Sequence, residues 1–311
     1  MFIEVRNYLT QLLNTLKVSF MKRNYLEKTL QALFFALAIV GFTACDDDDN
    51  DNYPVVGWVN ALSTKYENPS IEDRSEDGLL NMRLWNDNTL EYSIVVNNLK
   101  SGDELTEARL YAGDVLTNGN AILNLNARFT GGKASGYVTL RESLADSLMS
   151  LKNQIYININ SQQEQSGLLR GQVNTDITYT SYISLSGSEE VPPVSEQTKG
   201  TAVIRMTTER QGAGQSKIYY QVDVSDVPSG DELSTADIHY GAKGETGDAY
   251  ISLYTSQEDF GVSKYIIVNY NTSSGLYEDS YINVASKLHS TGLIRGQLKN
   301  DYENPIVGSY R

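Results

Sequence analysis

Apolar and polar residues alternate with period two along most of the chain. Leu90-Glu91-Tyr92-Ser93-Ile94-Val95-Val96 and Ile218-Tyr219-Tyr220-Gln221-Val222-Asp223-Val224 change face residue by residue and are rich in β-branched and aromatic side chains, which predicts strands. Similar runs are Val55 to Leu62, Leu79 to Trp85, Ala121 to Asn126, Gly136 to Leu140 and Ile155 to Ile159. Farther on come Tyr182 to Ser186, Thr201 to Thr207, Ala249 to Tyr254, Tyr265 to Tyr270 and Tyr281 to Val284. Turn signals such as Lys100-Ser101-Gly102-Asp103, Thr130-Gly131-Gly132 and Pro228-Ser229-Gly230-Asp231 separate them. Many short strands joined in this way predict an all-β protein built as antiparallel sandwiches or barrels. One segment differs: Arg141 to Lys152 sets Leu144, Leu148 and Leu151 at helical spacing, which predicts a short helix over one end of the sheets. Asn271 to Gly275, in the corresponding place farther on, reads as a loop.

The pattern repeats itself. Ser101 to Leu125 and Ser229 to Leu253 align over 25 residues without a gap and are identical at ten of them. Tyr156-Ile157-Asn158 returns as Tyr281-Ile282-Asn283, and Gly167-Leu168-Leu169-Arg170-Gly171-Gln172 as Gly292-Leu293-Ile294-Arg295-Gly296-Gln297. A unit of well over a hundred residues is too long for a solenoid repeat, so each copy is expected to be a domain. The two are placed at 55–176 and 180–300, with the join near Thr175 to Thr180 and a tail at 301–311.

The N-terminal region follows other rules. Leu30 to Ala44 is the longest apolar run, interrupted by Gln31 and too short for a membrane span, which needs about 20 residues. It follows Lys22, Arg23 and Lys28, as the h-region of a signal peptide follows its basic n-region. Phe42-Thr43-Ala44-Cys45 resembles a lipobox, with Phe where Leu is usual, so residues 1–44 read as a signal peptide and Cys45 as the site of lipid attachment. Met21 looks like the true start. Cys45 is also the chain's sole cysteine, so no disulfide can form within one copy of the protein.

Asp46-Asp47-Asp48-Asp49-Asn50-Asp51-Asn52 then gives an acidic tether, 45–54, whose like charges keep it extended. This run resembles the export signal of surface lipoproteins in some Gram-negative bacteria. The chain is therefore read as a bacterial lipoprotein of the outer membrane, facing the cell surface. Residues 1–44 carry five basic and two acidic side chains, so their removal takes the formal charge from −14 to −17. A surface so acidic repels phosphate backbones, which argues against nucleic-acid partners.

The second copy carries Gly187-Ser188-Glu189-Glu190-Val191-Pro192-Pro193-Val194, then Asp237-Ile238-His239-Tyr240-Gly241, then Arg295-Gly296-Gln297. In that order these motifs resemble the chordin (CHRD) domain, with its opening Gly-x-x-Glu-Val-Pro-Pro-Val, a central His strand and a closing Arg-Gly-Gln. The first copy joins it through Arg170-Gly171-Gln172, its opening motif reduced to Glu67-Asn68-Pro69-Ser70. The resemblance implies immunoglobulin-like sandwiches and extracellular binding or scaffolding, and it marks Glu190, Pro192, Pro193, His239, Arg170, Gly171, Gln172, Arg295, Gly296 and Gln297 as motif residues of structural character. Histidines that family members carry beside His239 and after the Tyr-x-Asn-Val strand are here Asp237 and Ala285, so a three-histidine metal site cannot be assembled.

Little else points to catalysis. Asp237, His239 and His289 form a weak metal-ligand set, because two histidines a long loop apart make a poor site. A serine triad would need one of those same histidines in a pocket, and no spacing singles out a carboxylate pair. No catalytic residue and no cofactor is assigned. Arg170 and Arg295 are expected to fasten loops through several hydrogen bonds, with Glu67 or Glu190 as partners. Gly171 and Gly296 are expected to permit close backbone approach or a bulge, and Asp103 and Asp231 to bond local amides. The expectation is a noncatalytic binding or structural module of the cell envelope, with an extracellular protein or glycan as partner. The alternative is a hydrolase or metal-dependent enzyme with its site between the copies.

Overall fold

The computed structural model describes residues 52–150, 154–209, 216–268, 276 and 279–299. The signal segment, Cys45, the acidic run through Asp51, Leu151, the loop Asn271 to Gly275 and the tail lie outside these residues.

Copy one consists of β1 (Pro54–Ser63), β2 (Asp77–Trp85), β3 (Thr89–Asn97), β4 (Leu105–Ala112), β5 (Ala121–Asn124), β6 (Lys133–Thr139), helix α1 (Glu142–Met149), β7 (Ile155–Ser161) and β8 (Leu169–Gln172). Copy two consists of β9 (Thr175–Ser186), β10 (Lys199–Glu209), β11 (Ser216–Ser225), β12 (Leu233–Tyr240), β13 (Ala249–Tyr254), β14 (Lys264–Val268), β15 (Ser280–Ser286) and β16 (Ile294–Gln297). Each copy pairs its strands into one eight-stranded antiparallel sheet. The orders are β5-β4-β7-β8-β1-β2-β3-β6 and β13-β12-β15-β16-β9-β10-β11-β14, the same path taken twice. The protein is thus all-β, two tandem domains with one α-helix among the described residues.

Burial explains the alternation. Along β2 and β3 every second side chain is buried, and Leu80, Met82, Leu84, Leu90, Tyr92 and Ile94 enter one core with Leu110, Ile157 and Ile159 from the other half of the sheet. The sheet curls to bring its halves over that core. Its turning point is the meeting of β8 with β1, which consists of a single bridge, Ser63 with Arg170. The second copy turns at Arg295 with Ser186. Helix α1 buries Leu144, Ala145 and Leu148 against the core, as its spacing predicts. Asn174 ties it in, donating to the carbonyls of Leu148 and Ser150 at 3.2 Å and accepting from Trp58 Nε1 at 2.8 Å.

Only Val173 and Asn174 separate β8 from β9. Thr175 to Thr180, where the sequence places the join, is β-strand: β9 pairs with β10 from Thr175 with Glu209 to Ser186 with Lys199. The β-branched residues there already belong to the second sheet, so its first strand begins within the expected join. Leu105–Ala112 and Leu233–Tyr240 are full strands that pattern reading does not isolate, because Glu107, Arg109, Asp237 and His239 make them look polar.

At the turning points the motif glycines are needed. A Cβ on Gly171 would lie 2.4 Å from the Ala61 carbonyl oxygen and 2.8 Å from Leu62 Cδ2. One on Gly296 would lie 2.5 Å from both Ile183 Cγ2 and the Ser184 carbonyl oxygen. Gly171→Ala is therefore expected to lose about 1–3 kcal/mol of stability through overpacking, read as a lower urea midpoint. An unchanged midpoint would mean that β8 does not pack so closely on β1.

Candidate functional site

Each copy concentrates its buried polar groups where the closing strand meets the loop after the central strand. In copy one, Arg170 is fully buried. Its guanidinium donates to the carbonyls of Asp114 and of Thr117 (2.9 Å) and to Asn118 Oδ1 (3.0 Å). The carbon of that guanidinium lies 3.5 Å from the centre of the Tyr156 ring. Gln172 holds the same loop through the Gly113 carbonyl at 2.8 Å.

Copy two repeats the arrangement. Arg295 donates to the carbonyls of Glu245 (2.6 Å) and Ala242 (3.0 Å) and lies 3.3 Å from the centre of the Tyr281 ring. Gln297 donates to the Gly241 carbonyl at 2.9 Å. The Arg-Gly-Gln motif is thus one device: the arginine and glutamine clamp a loop, and the glycine between them lets the strand cross its neighbour. Main-chain carbonyls and an aromatic face suit a buried guanidinium because they supply negative potential without a second charge that would itself need desolvation.

The partners differ from those expected. Glu67 and Glu190 make no ion pair with Arg170 or Arg295, whose nitrogens are turned to the loop carbonyls. Glu67 instead accepts from Asn158 Nδ2 at 3.1 Å, and its Oε1 is buried with no hydrogen-bond partner. Glu190 Oε1 is likewise buried and unpartnered. Burial raises Glu67 to about 7 against the opposing charges of Arg170 and Arg205 and the bond from Asn158. Burial raises Glu190 to about 7 as well, opposed by Arg295 and the Val191 amide. Each glutamate caps a 3-10 turn, Thr64–Tyr66 or Gly187–Glu189, and each precedes a cis X-Pro bond, Asn68-Pro69 or Val191-Pro192. The opening motif therefore keeps its geometry in copy one, although its letters have changed. Pro192 and Pro193 continue this turn in copy two.

His239 stands in copy two where Tyr111 stands in copy one, and it does the same thing. Tyr111 stacks on Tyr156 with ring centres 5.2 Å apart, and His239 on Tyr281 at 5.1 Å. His239 Nδ1 also lies 2.9 Å from the Gly247 carbonyl oxygen. His289 sits in the turn after β15, its Nε2 3.8 Å from Glu196 Oε1, and Asp237 pairs in register with Asn283 and Ser252. Among the described residues no group of three or more His, Cys, Asp or Glu is placed to hold a metal ion. Cys45 lies outside the described residues.

Asp103 and Asp231 bond local amides as expected: those of Glu104 (2.9 Å) and Gln163 (3.1 Å), and those of Glu232 (2.9 Å) and Leu288 (3.0 Å). Ser161 and Ser286 add hydroxyl donors at 2.7 and 2.6 Å. In copy one the aspartate also takes buried Arg74, 2.7 Å away, which forks onto Glu76 at 2.6 Å. Burial works against ionising Asp103 and Glu76, but the bond from Arg74 and the amide donors outweigh it and hold both below the usual carboxylate range.

Another buried arginine lies between the copies. Arg205, on the outer face of β10, is wholly buried and donates to the carbonyls of Val115, Glu67 and Lys65 in copy one, the last at 3.3 Å. Around it Tyr66, Val115 and Leu116 pack on Ile177, Val203 and Tyr219. Burial, then the nearby charge of Arg170, pulls Arg205 down to about 9. Sequence reading passes over this residue, but a signal exists: Val203 and Tyr219, on the face of the sheet away from the core, are apolar where a solvated face would be polar. Asn158 and Asn283 are visible in the sequence only as repeated letters.

Two all-β modules, each closed by the same arginine clamp, define a tandem structural repeat. The chain belongs to the CHRD domain family, whose model matches residues 59–173 and 182–298. No curated protein and no solved structure matches it significantly.

The raised glutamates set a pH dependence. A carboxyl whose folded pKa exceeds its unfolded value stabilises the fold while protonated, and that contribution is lost as pH rises from about 4.5 to about 7. Glu67→Gln cannot lose it. Its urea midpoint relative to the wild type is therefore expected to be higher at pH 8 than at pH 5, and an equal difference at both pH values would contradict the buried, unpartnered carboxyl.

Proposed function

We propose that the protein is a noncatalytic binding or structural lipoprotein of the cell envelope, held in the outer membrane by lipid on Cys45 and facing the cell surface. Its two curled sheets are read as immunoglobulin-like sandwiches.

The observation that carries the noncatalytic part is where the buried charged groups are used. Arg170, Arg205 and Arg295 give their hydrogen bonds chiefly to loop carbonyls, Arg74 gives its own to Glu76 and Asp103, and the space between the copies around Arg205 is filled by apolar side chains. A filled joint of this kind suits a module that presents its surface to a partner, and it leaves little for the reading of a catalytic cleft between the copies. The extracellular partner would be a protein or a glycan. The anchoring part rests on the sequence: a basic n-region, a short apolar run and a lone cysteine preceded by small residues. Two or three acyl chains, at about 0.8 kcal/mol per buried CH₂, would hold such a protein in a bilayer.

Cys45→Ala is expected to abolish incorporation of labelled palmitate and to move the protein from the detergent phase to the aqueous phase. Unchanged labelling and partitioning would remove the anchor from the account. Protease added to intact cells is expected to degrade the protein, and protection until the outer membrane is broken would reject surface display.

A further inference from the structure

The joint between the copies shows what the opening turn of a copy can receive. Arg205 reaches the carbonyls of Lys65 and Glu67, in the turn, and of Val115, in the clamped loop. By the duplication, the corresponding residues of copy two are Ser188, Glu190 and Lys243. Both sets are held alike. The turns close through Glu67 N to Thr64 O (3.3 Å) and Glu190 N to Gly187 O (3.1 Å). The loops are clamped by Arg170 and by Arg295 on equivalent carbonyls. Yet no donor among the described residues reaches the carbonyls of Ser188, Glu190 or Lys243.

The acceptors beneath are also short of donors. Glu190 Oε1 and Asn283 Oδ1 are buried and unpartnered, as Glu67 Oε1 and Asn158 Oδ1 are in copy one. A Cβ on Gly292 would lie 2.5 Å from Asn283 Oδ1 and 2.6 and 2.7 Å from the two Glu190 oxygens, so three oxygens converge beside one glycine. In copy one Glu67 stands near two guanidinium groups, Arg170 and Arg205, whereas Glu190 stands near Arg295 alone. Copy two thus has the three carbonyls of the joint without a counterpart of the Arg205 that bonds them in copy one, while the carboxyl and amide oxygens beneath are unpartnered in both copies.

The rim decides which occupant fits. Tyr66, Val115 and Leu116, the apolar contacts that copy one gives to the joint, are replaced in copy two by Glu189, Lys243 and Gly244. Lys243 and Glu189 pair across this rim at 2.9 Å in an exposed setting. A second molecule would present the face of copy one that corresponds to the Arg205 face. Arg83 takes the place of Arg205 there, but Asn81 and Glu91 replace Val203 and Tyr219, so the apolar half of the joint is missing on both sides. What remains on offer is acceptors and charge. We propose that copy two carries a receiving site for an arginine side chain of a separate protein, formed by the carbonyls of Ser188, Glu190 and Lys243 over the Glu190 carboxylate. A planar guanidinium can fork onto several carbonyls at once, which an ammonium cannot do as well. The site deepens the binding reading given above and does not depend on the lipid anchor, so the two can fail separately.

The test uses the full chain in detergent at pH 8, where Glu190 is ionised, titrated with N-acetyl-arginine amide and with its lysine counterpart by calorimetry. Saturable binding of the arginine form is expected, with the lysine form weaker by about tenfold, the factor that one charge-assisted hydrogen bond supplies. Glu190→Gln is expected to weaken arginine binding by a similar factor. Glu67→Gln, whose turn already receives Arg205, is expected to leave it unchanged. Lys243→Ala removes an exposed competing ammonium and is expected to tighten binding without affecting the fold. Equal binding of the two amino acid amides, no saturable binding, or unaltered binding by Glu190→Gln would overturn the proposal. Concentration-dependent self-association that Arg83→Ala abolishes would also overturn it, by giving the site to a second copy of this chain.

Discussion

Of the four buried guanidinium groups among the described residues, Arg170, Arg205 and Arg295 hold the loops and the joint of this protein in shape, and these three bond chiefly to main-chain oxygen. Taking such a charge from water costs several kcal/mol even after relaxation. That cost is offset here by short bonds to carbonyls and, for Arg170 and Arg295, by an aromatic ring 3.5 and 3.3 Å from the guanidinium carbon. Carbonyls that lie in loops, away from any strand ladder, would otherwise be buried without donors, each at a cost of about 1–3 kcal/mol. Arginine and loop therefore depend on one another: each would be unstable in that place alone.

The rest of the architecture follows from this dependence. Within a copy, the clamp fixes the loop after the central strand against the closing strand, at the point where the sheet turns over its core with a single bridge between its halves. Between the copies, Arg205 applies the same chemistry from outside, bonding the loop that Arg170 holds from within. The buried glutamates belong to this frame as well. They sit close enough to the arginines to feel their field, yet burial prevails and raises both to about 7.

Much of the fold was legible in the sequence because period-two burial writes itself directly into residue type. β2 and β3 bury every second side chain, and the chain reads accordingly. The duplication was legible through its repeated motifs: Arg170-Gly171-Gln172 and Arg295-Gly296-Gln297 clamp equivalent loops at equivalent turning points. Less legible were the partners. That arginine would choose carbonyls over Glu67 and Glu190 depends on loop conformation, which side-chain letters do not encode. β4 and β12 were obscured because charged residues on their outer faces mask the alternation. Arg205 escaped notice because a lone arginine in a strand usually faces solvent, and only the neighbouring copy makes this one buried. The role of His239 became clear once Tyr111 was seen in the same place, since a stacking ring need not be a histidine.

The most direct measurement of this account is the calorimetric unfolding of Arg205→Met, which keeps an unbranched apolar stem and removes the guanidinium with all of its donors from the joint. Coupling through the Val115, Glu67 and Lys65 carbonyls predicts that the wild type melts in one transition spanning both copies, and that the variant melts in two, the first well below the wild-type temperature. A variant that still melts in a single transition at the wild-type temperature would show that the copies are not held together by a guanidinium on main-chain oxygen.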